Sequence, residues 1–116
     1  MTKQDQIIAK QLAEKLRESA TGSVQRIILY GSRARGTATS ESDYDMLVIE
    51  KDSIVKREEM QHLRSALHDS DVPVDVSVMG EEEFEETKGV IGGLAYPKNK
   101  YGIVVYENAW SNPVKD

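Results

Sequence analysis

The sequence predicts a single α/β (α+β) domain, and three observations lead to this prediction. A chain of 116 residues is long enough for one hydrophobic core and too short for two. Runs of β-favouring apolar residues alternate with stretches of helical periodicity, in the order helix, strand, strand, helix, strand, helix, strand. The chain contains no cysteine, which excludes disulfides, cysteine-ligated zinc and a cysteine nucleophile.

The first part of the chain predicts one helix followed by two buried strands. Apolar residues recur at helical spacing over residues 4–20, and Gly22 is expected to end this helix as a left-handed cap. Residues 24–30 and 44–49 are dense in β-branched and aliphatic side chains, which favours strands buried on both faces. Between them, residues 31–42 are small, polar and cationic, and predict a loop with one helical turn.

The second part of the chain predicts two further helices and two further strands. Residues 53–68 have helical periodicity, and residues 72–79 alternate so that four valines share one face of a strand. Residues 81–94 predict a weaker helix with an acidic start, which suits the positive end of a helix dipole. A short strand over 101–106 and a frayed tail over 111–116 complete the chain.

Charge and hydropathy exclude several classes of function. The chain has 15 Lys and Arg against 20 Asp and Glu, a net charge of −5, so its overall attraction for duplex nucleic acid is weak. An anionic ligand must therefore be held locally, by placed cations, backbone amides or metal ions. The longest apolar runs have four residues, against roughly 18 for a membrane span, and the N-terminus is polar. We therefore expect a cytoplasmic domain that binds neither membranes nor duplex nucleic acid.

The residues that can carry chemistry are concentrated just after the first strand. The strand ends in Gly31 and Ser32, where the missing Cβ lets backbone amides approach a phosphate and the hydroxyl can donate to it. Asp43 and Asp45 follow, and at i and i+2 of a strand they share a face about 7 Å apart. Two such carboxylates at the mouth of an apolar strand repel each other, and a Mg²⁺ ion would relieve that repulsion.

Asp75 is a third acid that can join Asp43 and Asp45. It alternates with valines in the middle of its predicted strand, where a carboxylate is costly unless a cation meets it. If this strand pairs beside that of Asp43 and Asp45, the three acids come within about 5–8 Å of one another. Three acids and a phosphate-binding loop predict a two-metal site for in-line phosphoryl transfer, with Asp75 placed to accept the proton of the attacking hydroxyl.

This combination resembles the minimal nucleotidyltransferases of the DNA polymerase β superfamily. The resemblance consists of Gly31–Ser32, ten intervening residues, Asp43–Tyr44–Asp45 and Asp75 in a later Val-Asp-Val strand. It implies a small mixed β-sheet flanked by helices, two Mg²⁺ ions, and transfer of a nucleoside monophosphate from a nucleoside triphosphate, here ATP, to a hydroxyl. The matching positions in this chain are, for triphosphate binding, Gly31, Ser32 and Arg35, and, as metal ligands, Asp43, Asp45 and Asp75, with Asp75 also the base.

The resemblance also implies a partner. Single-domain members of this family are often paired with an all-helical HEPN-domain ribonuclease toxin and act as antitoxins that adenylylate a toxin tyrosine. Larger relatives carry a helical domain that binds the acceptor, and because this chain ends before one, we expect another chain in a hetero-oligomer to supply the acceptor. Two alternatives remain open: transfer to a small molecule or an RNA 3′ end, and an antitoxin that binds its partner without catalysis.

Simpler interpretations of the same side chains also remain open at this point. Asp43 and Asp45 are compatible with acids that cap a turn, and Asp75 with an exposed residue on an edge strand. Arg33 has no counterpart in the resemblance, and is expected to be either a second phosphate contact or a solvated side chain.

Overall fold

The structure is a computed structural model that describes residues 2–51, 55–93 and 95–108. Its elements in chain order are α1 (Lys3–Ser19), β1 (Val24–Tyr30), α2 (Gly31–Arg35), β2 (Tyr44–Glu50), α3 (Lys56–Ala66), β3 (Val74–Gly80), α4 (Glu81–Thr87), α5 (Tyr96–Tyr101) and β4 (Ile103–Glu107). The predicted frayed tail, the predicted start of the third helix at residue 53 and the predicted helix end at Leu94 lie outside the described residues. In the part of the chain that is described, no helix is long and apolar enough to cross a membrane.

The four strands form one mixed sheet in the order β3-β2-β1-β4. Strand β1 pairs antiparallel with both β2 and β4, whereas β2 pairs in parallel with β3. The parallel pair is joined by α3, which supplies the crossover that parallel strands require. The predicted mixed sheet flanked by helices is therefore confirmed.

The sheet separates a large core from a small one. On one face, α1 and α3 pack against the sheet in the larger cluster, whose members include Leu12, Leu16, Ile27, Leu29, Tyr44, Met46, Val48, Leu63, Val76 and Val78. The other face carries the smaller cluster, formed by Ile28, Leu47, Ile49, Met79, Phe84 and Ala95. Because β1 and β2 contribute to both clusters, the prediction that these strands are buried on both faces is confirmed.

The predicted glycine cap of the first helix is wrong. Helix α1 ends at Ser19, its C-cap Ala20 is extended (φ −63°, ψ 142°), and Gly22 is not among the described glycines that have a positive φ. The turn is held from another element instead, because Glu59 of α3 accepts hydrogen bonds from the Thr21 backbone N–H (2.9 Å) and hydroxyl (2.6 Å). The buried carboxylate of Glu59 thus stabilises the turn after α1, where the sequence predicted a left-handed glycine.

The C-terminal third also departs from the prediction. The helix expected over 81–94 ends at Thr87, and a turn that includes Gly92 (φ 91°) follows it. A second short helix, α5, begins at Tyr96 with Pro97 in its first turn, a position that proline favours. The final strand therefore begins at Ile103 rather than at residue 101.

Candidate active site

The predicted acids lie at one end of the sheet, on the face of the smaller core. Tyr30 of β1 is the Cα partner of Asp45, and Asp45 is in turn the partner of Asp75 in the parallel pair. Directly paired residues point to the same face of a sheet, so Asp45 and Asp75 stand side by side. Asp43 lies immediately before β2 and is exposed. Asp75 is the second residue of β3 rather than a mid-strand residue, which places it at the rim.

The charges of these acids act on one another. Burial raises the pKa of Asp45, and the negative charges of Asp75 and Asp43 raise it further, while Arg35 and Lys98 oppose the shift. Among the described residues, however, no three His, Asp or Glu side chains are gathered closely enough to hold a metal ion as they stand. Asp43, Asp45 and Asp75, here called the acid row, therefore place two negative charges near Asp45, and their role as metal ligands stays a prediction.

Position 31 requires glycine, because a side chain there would overlap Asp45. The φ of Gly31 is 78°, in the left-handed region that disfavours residues with a Cβ. A Cβ built on it would overlap the carboxylate oxygen Oδ2 of Asp45. The residue therefore turns the chain from β1 into α2 and leaves room for the carboxylate. The single helical turn predicted after this glycine is present as α2, which carries the partly buried Ser32 and the exposed Arg35.

Arg33 takes neither of its two predicted roles. Its side chain is only 13% exposed and lies on the other face of the sheet, where Nη1 pairs with Oδ1 of Asp5 at 3.2 Å. Its Nε and Nη2 donate to the Ser42 carbonyl at 3.3 and 3.0 Å, and its guanidinium lies 4.5 Å from the centre of the Tyr44 ring. Arg33 therefore ties the segment that leads to Asp43 to helix α1.

Tyr44 completes this network. Its hydroxyl donates to Oδ1 of Asp5 at 2.7 Å, and burial together with this hydrogen bond raises the pKa of Tyr44 to about 12. Burial alone would raise the pKa of Asp5, but the hydrogen bonds from Tyr44 and Thr2 and the charge of Arg33 outweigh it and lower that pKa. Asp5 is thus an ionised acid that contacts Thr2, Arg33 and Tyr44. It lies on the face of the sheet opposite to the acid row, at the start of β2.

Arg64 belongs to the site and was missed by sequence reasoning. Its Nη2 lies 3.6 Å from Oδ1 of Asp75, and its Nε donates to the Val76 carbonyl at 3.1 Å. Both side chains of the ion pair are 50% exposed, which limits its strength. The short connection of residues 67–73 between α3 and β3 is a signal that could have placed this arginine beside Asp75.

Lys98 and Tyr30 were missed as well. Nζ of Lys98 lies 5.0 Å from the centre of the Tyr30 ring, and the Tyr30 hydroxyl is 3.3 Å from Oγ of Ser77. No sequence signal pointed to Lys98, because the helix that carries it was not predicted. The acid row is therefore bordered by Arg64 at the edge of the sheet and by Lys98 on the side of β1.

Comparison with known proteins matches this chain to one family. The family model of the nucleotidyltransferase domain matches residues 9–100, a range that contains the acid row and the Gly31–Ser32 turn. No curated protein matches the chain.

Solved structures share the fold over most of the chain. A candidate nucleotidyltransferase from Sulfolobus solfataricus superposes with a TM-score of 0.62 and 22% identity, covering 90% of this chain and 86% of the other. A toxin–antitoxin structure with AMP-PNP gives a TM-score of 0.57 and 23% identity, covering 90% and 77%. The MntA-HepT toxin–antitoxin gives 0.51 and 20%, covering 91% and 76%. At these identities the likeness is one of fold.

The family assignment therefore rests on the matched domain model, and the shared fold agrees with it. The match extends from α1 into α5 and includes every acid of the row. This chain belongs to the nucleotidyltransferase domain family.

Proposed function

We propose that this chain transfers AMP from ATP to a hydroxyl group of a protein partner, and that the partner is a HEPN-type toxin. The observation that carries the proposal is the pairing of Asp45 with Asp75 in adjacent parallel strands, next to the turn at Gly31 and Ser32. Acids brought together at a strand end beside a close backbone turn suit the transfer of a phosphoryl-type group.

The chain's own residues fit Mg²⁺ by their chemistry. Asp43, Asp45 and Asp75 offer carboxylate oxygens, the ligands that Mg²⁺ prefers. The raised pKa of Asp45 reflects burial and an excess of negative charge, which a bound cation would relieve. When bound, Mg²⁺ would neutralise charge on the phosphate chain and make the acceptor hydroxyl easier to deprotonate. Gly31, Ser32 and Arg35 would hold that chain.

The reaction forms one bond and breaks one. The acceptor oxygen attacks the α-phosphorus of ATP, the bond between the α-phosphorus and the bridging oxygen breaks, and pyrophosphate leaves. Asp75 would accept the proton of the attacking hydroxyl, because its side chain is half exposed at the rim of edge strand β3. That exposure leaves an approach for an acceptor as large as a protein.

Two arguments support a protein toxin as the acceptor. The chain shares its fold with structures of toxin–antitoxin complexes, one of them with AMP-PNP. Its net charge of −5 does not favour RNA, the main alternative acceptor. A toxin modified on a tyrosine hydroxyl is the acceptor that the resemblance to minimal nucleotidyltransferases implies.

A labelling experiment tests the proposal. The purified chain is incubated with Mg²⁺, a HEPN toxin encoded beside it, and ATP labelled on either the α- or the γ-phosphate. We expect label on the toxin from α-labelled ATP and none from γ-labelled ATP. Asp45→Asn should lower the initial rate at least 100-fold, as removal of a transition-state charge contact does. Asp71→Asn, which removes an exposed acid just before β3, is the matched control and should retain the rate.

Other outcomes would replace the proposal with one of its alternatives. Label on RNA or on a small hydroxylated compound without the toxin would change the acceptor. Protection from the toxin that survives Asp45→Asn and Asp75→Asn, without any label transfer, would make the chain an antitoxin that acts by binding.

A further inference from the structure

We propose that Lys98 binds the phosphate chain of the nucleotide donor. The inference rests on the proposed function and names a binding residue that neither the sequence pattern nor the family resemblance includes. Nζ of Lys98 lies 5.0 Å from the centre of the Tyr30 ring. Tyr30 is the last residue of β1, precedes Gly31 directly and is the Cα partner of Asp45. The ammonium group therefore contacts the residue that leads into the Gly31–Ser32 turn and pairs with Asp45.

The fold builds this position from a close contact between α5 and β1. Gly102 follows α5, and a Cβ on it would overlap the Lys98 carbonyl oxygen and the side chain of Ile28. Ala95, just before α5, is fully buried in the smaller core. The backbone that carries Lys98 is therefore anchored at both ends of its helix.

The Tyr30 ring is the surface against which the Lys98 ammonium group packs. Its hydroxyl lies 3.3 Å from Oγ of Ser77 on β3, so the ring spans the strand between them and stays partly buried. An aromatic face attracts an ammonium group within about 6 Å, which favours the observed placement of Lys98. The lysine is partly buried and directed by this contact rather than fully exposed on the surface.

The charge distribution points to phosphate as the ligand. Lys98 and Arg35 are both close enough to Asp45 for their charges to act on it, so both cations lie near that acid. Arg64, at the other end, already contacts Asp75 and the Val76 carbonyl. A compact ammonium with three donors suits the spread negative charge of a polyphosphate. Lys98 would thus be a second cation, besides Arg35, that contacts the phosphates of the nucleotide donor.

Three variants test this assignment. Lys98→Gln removes the charge and keeps the length, Lys98→Arg restores a charge, and Lys100→Gln removes a charge from the same helix. Lys100 is a suitable control because it is exposed and donates to the Tyr96 hydroxyl at 3.2 Å. Calorimetric titration with α,β-methylene-ATP and Mg²⁺ measures binding without turnover, since the bond that would break is blocked.

We expect Lys98→Gln to weaken binding about tenfold, the effect of losing one charge-assisted hydrogen bond. Lys98→Arg should recover most of the affinity, and Lys100→Gln should stay within about twofold of the unmodified chain. Inorganic tripolyphosphate with Mg²⁺ should show the same tenfold loss for Lys98→Gln, because it has the phosphates without the nucleoside. Thermal unfolding of each variant verifies that the fold is retained.

Each contrary result has a definite meaning. Equal affinities for Lys98→Gln and the unmodified chain overturn the assignment and leave the proposed function standing. A loss with the nucleotide but not with tripolyphosphate also overturns it, because Lys98 would then contact the nucleoside. An unmodified chain that binds neither probe overturns the assignment and the proposed function together.

Discussion

Single residues decide how closely the backbone can approach the acid row. Gly31 has a left-handed φ of 78° and no room for a Cβ beside Asp45. Gly80, at the start of α4, has an ordinary φ of −72° and open space where its Cβ would be. The two glycines thus form a matched pair, one required by the site and one not.

We predict that Gly31→Ala lowers the free energy of unfolding by about 1–2 kcal/mol, the cost of a left-handed alanine, and displaces the Asp45 carboxylate. Nucleotide binding, measured by calorimetry, should fall at least tenfold, and urea denaturation should measure the loss of stability. Gly80→Ala should leave nucleotide binding unchanged and lower the free energy of unfolding by less than about 1 kcal/mol, because Gly80 is the N-cap of α4 and alanine is a poorer N-cap than glycine. A Gly31→Ala variant with unchanged binding would contradict the role of this glycine in placing Asp45.

Arg33 contacts the segment before Asp43 from the face of the sheet opposite to the acid row. It holds the Ser42 carbonyl, one residue before Asp43, and pairs with Asp5 of α1. We predict that Arg33→Gln lowers the free energy of unfolding by about 2 kcal/mol, because a largely buried Asp5 loses its cation. Chemical denaturation measures this loss.

The matched control is Arg57→Gln, which removes an exposed arginine on α3 and should change stability by less than about 0.5 kcal/mol. If Arg33 positions Asp43, the remaining folded Arg33→Gln protein should also bind Mg²⁺ and nucleotide more weakly. Full stability of Arg33→Gln would show that the network on that face contributes little.

At the scale of elements, the end of β2 away from the acid row meets α3 through two carboxyl groups. Glu50 is fully buried, and burial together with the neighbouring Glu59 raises its pKa to about 8. Burial would also raise the pKa of Glu59, but its hydrogen bonds with Glu50 and Thr21 lower it. Glu50 is therefore the protonated member of the pair at neutral pH and Glu59 the ionised one.

This pair predicts a pH dependence of stability. Because the pKa of Glu50 is raised on folding from 4.5 to about 8, the folded state holds a proton that the unfolded chain has released between these values. The free energy of unfolding should therefore fall as the pH rises from about 5 to 8. Glu50→Gln should flatten this slope and stabilise the protein at pH 8 by on the order of 3 kcal/mol.

Urea denaturation at several pH values measures both effects. Glu58→Gln, an exposed neighbour on α3, is the control and should leave the slope unchanged. Glu59→Gln should instead lower stability near neutral pH, because the ionised acceptor of the Thr21 hydrogen bonds is lost. A slope that persists in Glu50→Gln would assign the dependence to other groups.

Elements with a strong periodic signal were predicted well, and those set by tertiary contact were not. The alternation over 72–79 correctly predicts that Val76 and Val78 face one core and Met79 the other. Helix α5 has six residues and little periodicity, and its placement depends on the close contact that Gly102 allows with β1. Such a contact lies between residues far apart in the sequence, so local patterns do not reveal it.

The same distinction holds within the site. Asp45 and Asp75 were predictable because strand alternation and a single assumed pairing bring them together. Arg64 was not, since it reaches the row from the helix on the opposite face, past the edge strand β3. Lys98 depends on α5 and was equally hidden. Sequence periodicity thus placed the acids, whereas the cations that border them follow from how helices pack on the sheet.

At the scale of the whole molecule, the acid row stands outside both cores. Its members lie at the end of the sheet and belong to neither apolar cluster, whereas the two clusters consist of apolar side chains from the strands and from the segments that cover them. Stability should therefore come from apolar burial, and ligands should add to it rather than create it.

We predict that chelation of divalent cations leaves the midpoint of thermal unfolding unchanged, whereas Mg²⁺ with α,β-methylene-ATP raises it. At a ligand concentration of about 100 times the Kd, mass action adds about 2.7 kcal/mol to the free energy of unfolding. Asp45→Asn should unfold at a higher temperature than the unmodified chain without ligand, because the repulsion from Asp43 and Asp75 is relieved. It should gain nothing from the ligand. If chelation alone unfolded the protein, the metal would be required for the fold. If the ligand still raised the unfolding midpoint of Asp45→Asn, the nucleotide would bind at a site that does not depend on Asp45.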